Sequence, residues 1–241
     1  MFQRPHYQRI QQVLTSLDAS LLRGHHCYFG GGTAIVLQTG EYRESVDLDF
    51  MVSDITTYRA MRGLLQAEEA LCRFFGIGRG PLRRLPEVRA DQYGIRTWLD
   101  LEGGPIKFEI VFEARIEFEP PGPGDRIMGV TTLSRVDQVA SKLLANVDRW
   151  ADPGVMSRDI IDLAMLRPDR EVWSSALKKA EQAYGNAVRL ALQKAVAHLT
   201  ERTDRLRHCI DALKINTPPA LLQQNLVELA RLQEQQPAAG G

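Results

Sequence analysis

Gly30-Gly31-Gly32-Thr33-Ala34-Ile35, followed by Arg43-Glu44-Ser45-Val46-Asp47-Leu48-Asp49-Phe50, is the stretch from which the fold is read. His26 to Phe29 just before it reads as a short strand, the glycines as a turn, and Ala34 to Leu37 as the first turn of a helix. Val46 to Val52 then alternates polar and apolar residues with the period of two that a strand requires. Asp47 and Asp49 therefore share one face. At about 4 Å two bare carboxylates repel by about 4 kcal/mol at an effective dielectric near 20, so such a pair calls for a cation. Carboxylate oxygens suit magnesium, with manganese as an alternative, and magnesium also takes water and substrate phosphates as ligands. In isolation the Asp-x-Asp pattern is weak, because an exposed strand carries the same pair without any function.

The glycine turn adds weight. Gly31 and Gly32 remove side chains where backbone N–H groups would approach phosphate, and the helix start that follows supplies partial positive charge. Thr33 adds a hydroxyl donor. The spacing is neither the G-x-G-x-x-G of dinucleotide-binding folds nor a P-loop. Arg43 and Ser45 are a cation and a hydroxyl able to reach phosphate oxygens, although a solvated loop would carry them equally well.

Working outward, Ile10, Val13, Leu14, Leu17 and Leu21 recur at helical spacing and predict an opening amphipathic helix that ends near Gly24. Thr56 to Phe75 reads as helix and Gly76 to Pro86 as loop. Tyr93 to Leu101 and Ile106 to Glu113 read as strands of a hairpin turning at Gly103-Gly104-Pro105. In the second strand Ile106, Phe108, Ile110 and Phe112 point one way, and Lys107, Glu109, Val111 and Glu113 the other. Glu119 to Gly124 is the clearest boundary, since its prolines and glycines resist both helix and ladder pairing. Beyond it Ser134 reads as an N-cap for a helix through Val147, and further helices are expected over 157–166, along Trp173 to Leu199, and over 219–233.

The predicted class is α+β: a sheet domain over 1–122, a helical domain over 123–236 and a flexible tail over 237–241. At 241 residues and 44% apolar composition the chain can bury a substantial core. No run of about 18 apolar residues occurs, and the polar start is unlike a secretion signal, so a cytoplasmic protein with no membrane partner is expected. Cys27, Cys72 and Cys209 lack metal-ligand spacing and read as buried thiols, and Trp98, Trp150 and Trp173 as core or interface packing. Net charge is zero, which argues against indiscriminate nucleic-acid binding. A local basic cluster of Arg202, Arg205, Arg207, His208 and Lys214 could still track RNA phosphates, or simply be a solvated helix face.

Gly31-Gly32-Thr33 with Arg43-x-Ser45-x-Asp47-x-Asp49-Phe50 resembles the first motif of the AbiEii/AbiGii-type toxin nucleotidyltransferases, members of the DNA polymerase β-like superfamily. Lys142-Leu-Leu-Ala145 and Arg158-Asp159-Ile-Ile-Asp162 resemble two later segments of that family. The resemblance covers roughly Phe29 to Leu166 and implies a polymerase β-like mixed sheet with flanking helices, followed by a helical domain. It implies a third acidic residue beside Asp47 and Asp49, as metal ligand or general base. Glu109 occupies that place, with Glu113 as the alternative. Lys142 matches a lysine that contacts the triphosphate, and Asp159 and Asp162 match residues that support the site. For Lys142 a surface salt bridge, and for Asp159 a helix cap or a pair with Arg158, are the alternatives. The implied activity is transfer of a nucleoside monophosphate from a nucleoside triphosphate to an acceptor hydroxyl, the 3′ end of transfer RNA or another RNA, with pyrophosphate release. A separately encoded antitoxin is the implied opponent. Transfer to a small molecule or a protein, and a nucleotide-binding module without catalysis, are the competing readings.

Overall fold

The structure, a computed structural model, describes residues 2–235, so the tail expected over 237–241 lies outside the described residues. The chain divides into two compact units, the first comprising 1–41 and 46–134 and the second 42–45 and 135–241. The Pro/Gly segment at 119–124 is thus internal to the first unit. The chain goes on from there into β6 (Arg126–Ile127) and β7 (Val130–Thr131), a small antiparallel pair invisible to periodicity because each strand is only two residues long.

The first unit is a mixed sheet with helices. Helices α1 (Pro5–Ser16) and α2 (Ala19–Gly24) replace the single opening helix that the apolar spacing predicts. Leu17 is extended, and the Asp18 carboxylate accepts the Leu21 N–H to start a new helix. Strand β1 (Tyr28–Gly30) leads into α3 (Gly31–Gln38), and β2 (Leu48–Val52) begins one residue after Asp47. The helical stretch at 56–75 is likewise broken, into α4 (Ile55–Leu64) and α5 (Glu68–Phe75). Strands β3 (Arg89–Ala90), β4 (Gly94–Leu99) and β5 (Ile106–Phe112) complete the sheet, with β4 and β5 forming the expected antiparallel hairpin. The strand order is β1-β2-β5-β4-β3, antiparallel throughout except for the parallel β2–β5 pair.

One face of this sheet is core. Phe29, Phe50 and Phe108 stand side by side on neighbouring strands, with ring centroids 5.3 and 5.2 Å apart, and Phe74 and Phe75 of α5 meet Phe108 edge-on. The opposite face carries Asp49, Glu109, Lys107 and Arg96, as the alternation of β2 and β5 requires.

The second unit is helical: α6 (Arg135–Arg149), a 3₁₀ turn (Pro153–Val155), α7 (Arg158–Leu166), α8 (Arg170–Tyr184), α9 (Ala187–Thr200), α10 (Thr203–Ala212) and α11 (Pro219–Glu234). The long helix expected along Trp173 to Leu199 is two helices. Gly185, with φ +56°, ends α8 in a backbone conformation that disfavours any other residue. The segment Tyr42–Ser45 is tied into this unit by backbone hydrogen bonds from Glu44 N–H to the Leu213 carbonyl and from Asn216 N–H to the Tyr42 carbonyl.

Candidate active site

In the first unit a single rung crosses the sheet: Gly30 on β1, Asp49 on β2, Glu109 on β5, Arg96 on β4 and Arg89 on β3. Directly opposed residues point to the same side, so Asp49 and Glu109 are neighbours on the polar face. The sequence leaves Glu109 and Glu113 open as the third carboxylate; the register separates them. Glu113 lies beyond the end of β5, is buried, and has both oxygens engaged by Arg115, at 2.7 Å from Nε and 2.6 Å from Nη2.

Gly31 is fixed by Asp49. Its φ is +67°, and a Cβ added there would lie 2.8 Å from the Asp49 Cβ and collide with Oδ2. The Asp49 side chain therefore rests against the start of α3, whose first N–H groups have no partners within the helix. Thr33 differs from the sequence reading. It is fully buried, and its hydroxyl donates at 2.5 Å to the backbone carbonyl of Asp47, so it holds the aspartate-bearing chain and does not face a phosphate.

Glu109 is engaged on both oxygens, Oε1 accepting from Arg96 Nε at 2.6 Å and Oε2 from Lys107 Nζ at 2.7 Å. Arg96 also reaches Asp91 at 2.9 Å. The hydrogen bond to Glu109 raises the Lys107 ammonium above the ordinary lysine range, and the charges of Glu109, Asp47 and Asp49 add to that shift. One cation thus sits in the field of all three carboxylates. Among the described residues no group of three or more His, Cys, Asp or Glu side chains is arranged to hold a metal ion. Asp47 and Asp49 are the carboxylates that could hold magnesium, an ion that takes one or two carboxylates and completes its shell with water and phosphate oxygens. Glu109 already accepts one hydrogen bond on each oxygen, from Arg96 and from Lys107.

The other sequence-predicted residues come together in the second unit as a buried ionic network. Arg43 donates to Asp162 from Nε at 2.7 Å and from Nη2 at 2.8 Å, and the Tyr42 hydroxyl donates to Asp162 as well. Lys142 bridges Asp162 at 2.6 Å and Asp159 at 2.9 Å, and Arg149 grips Asp159 at 2.7 and 2.9 Å. Burial alone would raise both carboxyls, but the charges of Arg43 and Lys142 on Asp162, and of Lys142 and Arg149 on Asp159, hold them below the ordinary carboxylate range. Arg43 and Lys142 therefore already have buried carboxylate partners, where the sequence reading aimed them at phosphates. Nor does Asp159 pair with Arg158. Ser45 is half-buried at the end of the same segment.

Trp173 is core, as expected, but Trp98 is 62% exposed on the polar face of β4, register partner of Lys107. Alternation within β4 carried that signal, since Ile95, Thr97 and Leu99 face inward. Cys27 and Cys209 are buried and Cys72 half-buried, all as free thiols.

The sequence model of the nucleotidyl transferase AbiEii toxin family, type IV toxin–antitoxin system, matches residues 12–224. The chain belongs to this family. AbiEii proteins are nucleotidyl transferase toxins, and the motifs described above all fall inside the matched span. A comparison with curated protein sequences finds no match. Among solved structures this AbiEii chain is similar to JHP933 from Helicobacter pylori, with 17% identity, a TM-score of 0.52, and coverage of 98% of this chain and 93% of that one. It is also similar to an H. pylori protein described as a candidate nucleotidyltransferase, with 17% identity, a TM-score of 0.49 and coverage of 95% and 92%. At that identity the first likeness speaks to the fold alone, here a mixed sheet with helices and a helical part. Among the described residues no helix is long and apolar enough to cross a membrane.

Proposed function

We propose that this chain transfers a nucleoside monophosphate from a nucleoside triphosphate to an RNA acceptor, the 3′ end of transfer RNA, as the toxin half of a toxin–antitoxin pair. The observation that carries the reading is the rung on which Asp49 stands opposite Glu109 with Gly31 closed against it. Family membership supplies the reaction class.

In the proposed reaction the acceptor hydroxyl oxygen bonds to the α-phosphorus as the bond to the bridging oxygen breaks, and pyrophosphate leaves. Asp47 and Asp49 would hold magnesium, which when bound neutralises charge developing on the phosphates. Gly31 leaves room for the Asp49 carboxylate at the helix start, and the N-terminal amides of α3 favour phosphate oxygens beside it. Glu109 takes the hydroxyl proton once Lys107 turns from it toward phosphate; in the resting arrangement that lysine holds the carboxylate in place. Thr33 fixes the carbonyl of Asp47 and so the path of the ligand-bearing chain. Arg43, Lys142, Asp159 and Asp162 are assigned a positioning role, holding Tyr42–Ser45, which runs through Val46 into Asp47.

The test is incubation with magnesium, each labelled nucleoside triphosphate in turn and total transfer RNA, comparing wild type with Asp49→Ala on a denaturing gel. Label entering RNA only with wild type is the expected result. Absence of label under every nucleotide would remove transfer RNA as acceptor.

A further inference from the structure

In the second unit, a cavity of about 440 Å³ opens between the end of α6 and the α9–α10 junction, lined by Trp150, Asp152, Pro153, His198, Arg202 and Arg205. That volume is within the range that holds one small ligand. Its chemistry is unusual for a surface hollow. Lys194 places its ammonium 5.7 Å from the centroid of the Trp150 ring. Arg205 spans to the Pro153 carbonyl at 3.3 Å, and its Nε is buried with no hydrogen-bond partner among the described residues. Arg202 is 59% exposed, and its nearest carboxylate, Asp204, is 3.9 Å away. Asp152 also lines the cavity, but its carboxylate accepts the Gly154 N–H. Two guanidinium groups and an imidazole thus line the cavity with an indole and one carboxylate, and the Lys194 ammonium approaches the same ring.

We infer that this cavity binds one nucleotide of a single-stranded RNA, the base against Trp150 and the flanking phosphates against Arg202, Arg205 and Lys194. Aromatic stacking accepts any base, and guanidinium groups pair with phosphate oxygens in a forked geometry. The Arg202 guanidinium, 59% exposed beside the cavity, is a donor that a phosphate oxygen can reach. The basic cluster of the sequence then divides: Arg202 and Arg205 belong to the cavity, whereas Lys214 is paired with Glu44 at 2.7 Å. A role in capturing the acceptor rests on the nucleotidyltransferase reading; the binding itself does not.

The test uses the full chain and fluorescein-labelled dodecaadenylate RNA, followed by anisotropy without magnesium or nucleoside triphosphate over a series of potassium chloride concentrations. Wild type binds with an affinity that falls linearly in the logarithm of salt, and Arg202→Gln lowers that slope by about 0.7. Trp150→Leu weakens binding roughly tenfold. Trp150→Phe restores most of it, which a purely structural indole would not predict, and thermal melts of each variant verify folding. Absence of wild-type binding, or equal binding by Trp150→Leu and Arg202→Gln, overturns the inference. So does displacement by ATP or by polyglutamate at matched charge, which would make the cavity a mononucleotide or acidic-peptide site. A labelled triphosphate titrated into Trp150→Leu reports on nucleotide binding separately, so loss of RNA docking and failure of the transferase reading give different results.

Discussion

Asp162→Asn is the sharpest perturbation of the buried network. The carboxylate is fully buried and carries the charge that offsets Arg43 and part of Lys142. The amide keeps the shape but leaves Arg43 facing a neutral group and Lys142 with Asp159 alone. Removing one partner of a buried ion pair costs about 3–5 kcal/mol. For a protein of this size each kcal/mol moves the melting temperature by about 2–4 °C, so a fall of roughly 6–20 °C is expected. Circular dichroism melts and urea titrations measure it. The pH dependence provides a second check. Since the folded-state pKa of Asp162 is depressed, its stabilisation is present above the ordinary value of 3.8 and is lost as pH falls through the folded value. The gap between wild type and variant must therefore narrow below that pH. A loss under about 1 kcal/mol at neutral pH would refute the reasoning, since it would mean that the network is open to water and its charges screened.

Gly31→Ala places a Cβ against Asp49 at a positive φ, so a destabilisation of about 1–3 kcal/mol is expected, with a larger proportional loss of transfer, read by thermal melts and single-turnover labelling. Glu109→Gln abolishes labelling whereas Glu113→Gln spares it; the reverse pattern would move the third carboxylate to Glu113. With a thiol reagent at pH 8 the half-buried Cys72 reacts first, because burial pushes the thiols of Cys27 and Cys209 up and hides them from solvent; rapid modification of Cys27 in the native protein would contradict its place in the core.

The parts legible in the sequence were those with a short repeat. Alternation in β5 put Glu109 on the polar face, and the same period in β2 put Asp49 opposite it, whereas Asp47 precedes the strand. The glycine turn was legible because few residues other than glycine tolerate Gly31's backbone. Helix ends were less visible. Leu17 and the Leu65–Ala67 connection continue an apolar pattern while the backbone leaves the helix, since side-chain periodicity survives a short break. The direction of Arg43 was not legible at all. Its partner lies 119 residues away, and an arginine aimed at a phosphate and one aimed at a buried aspartate look identical in a motif. Of the two readings for Trp98, core or interface packing, its register opposite Lys107 removes the core one, because that face of β4 is exposed.

The second unit is not contiguous along the chain, since it borrows Tyr42–Ser45 from between α3 and β2. A gene fragment encoding only the helical region would therefore translate into a polypeptide in which Asp162 loses Arg43 and the Tyr42 hydroxyl and keeps Lys142 alone, and it would be a poor candidate for independent expression. Supplying a short peptide that spans Tyr42–Ser45 in trans should rescue it, in the manner of a split protein completed by its missing piece. Insertions or gene fusions placed in that four-residue stretch would disturb both units at once, so natural variation in length is expected to avoid it and collect in the loop at 76–86.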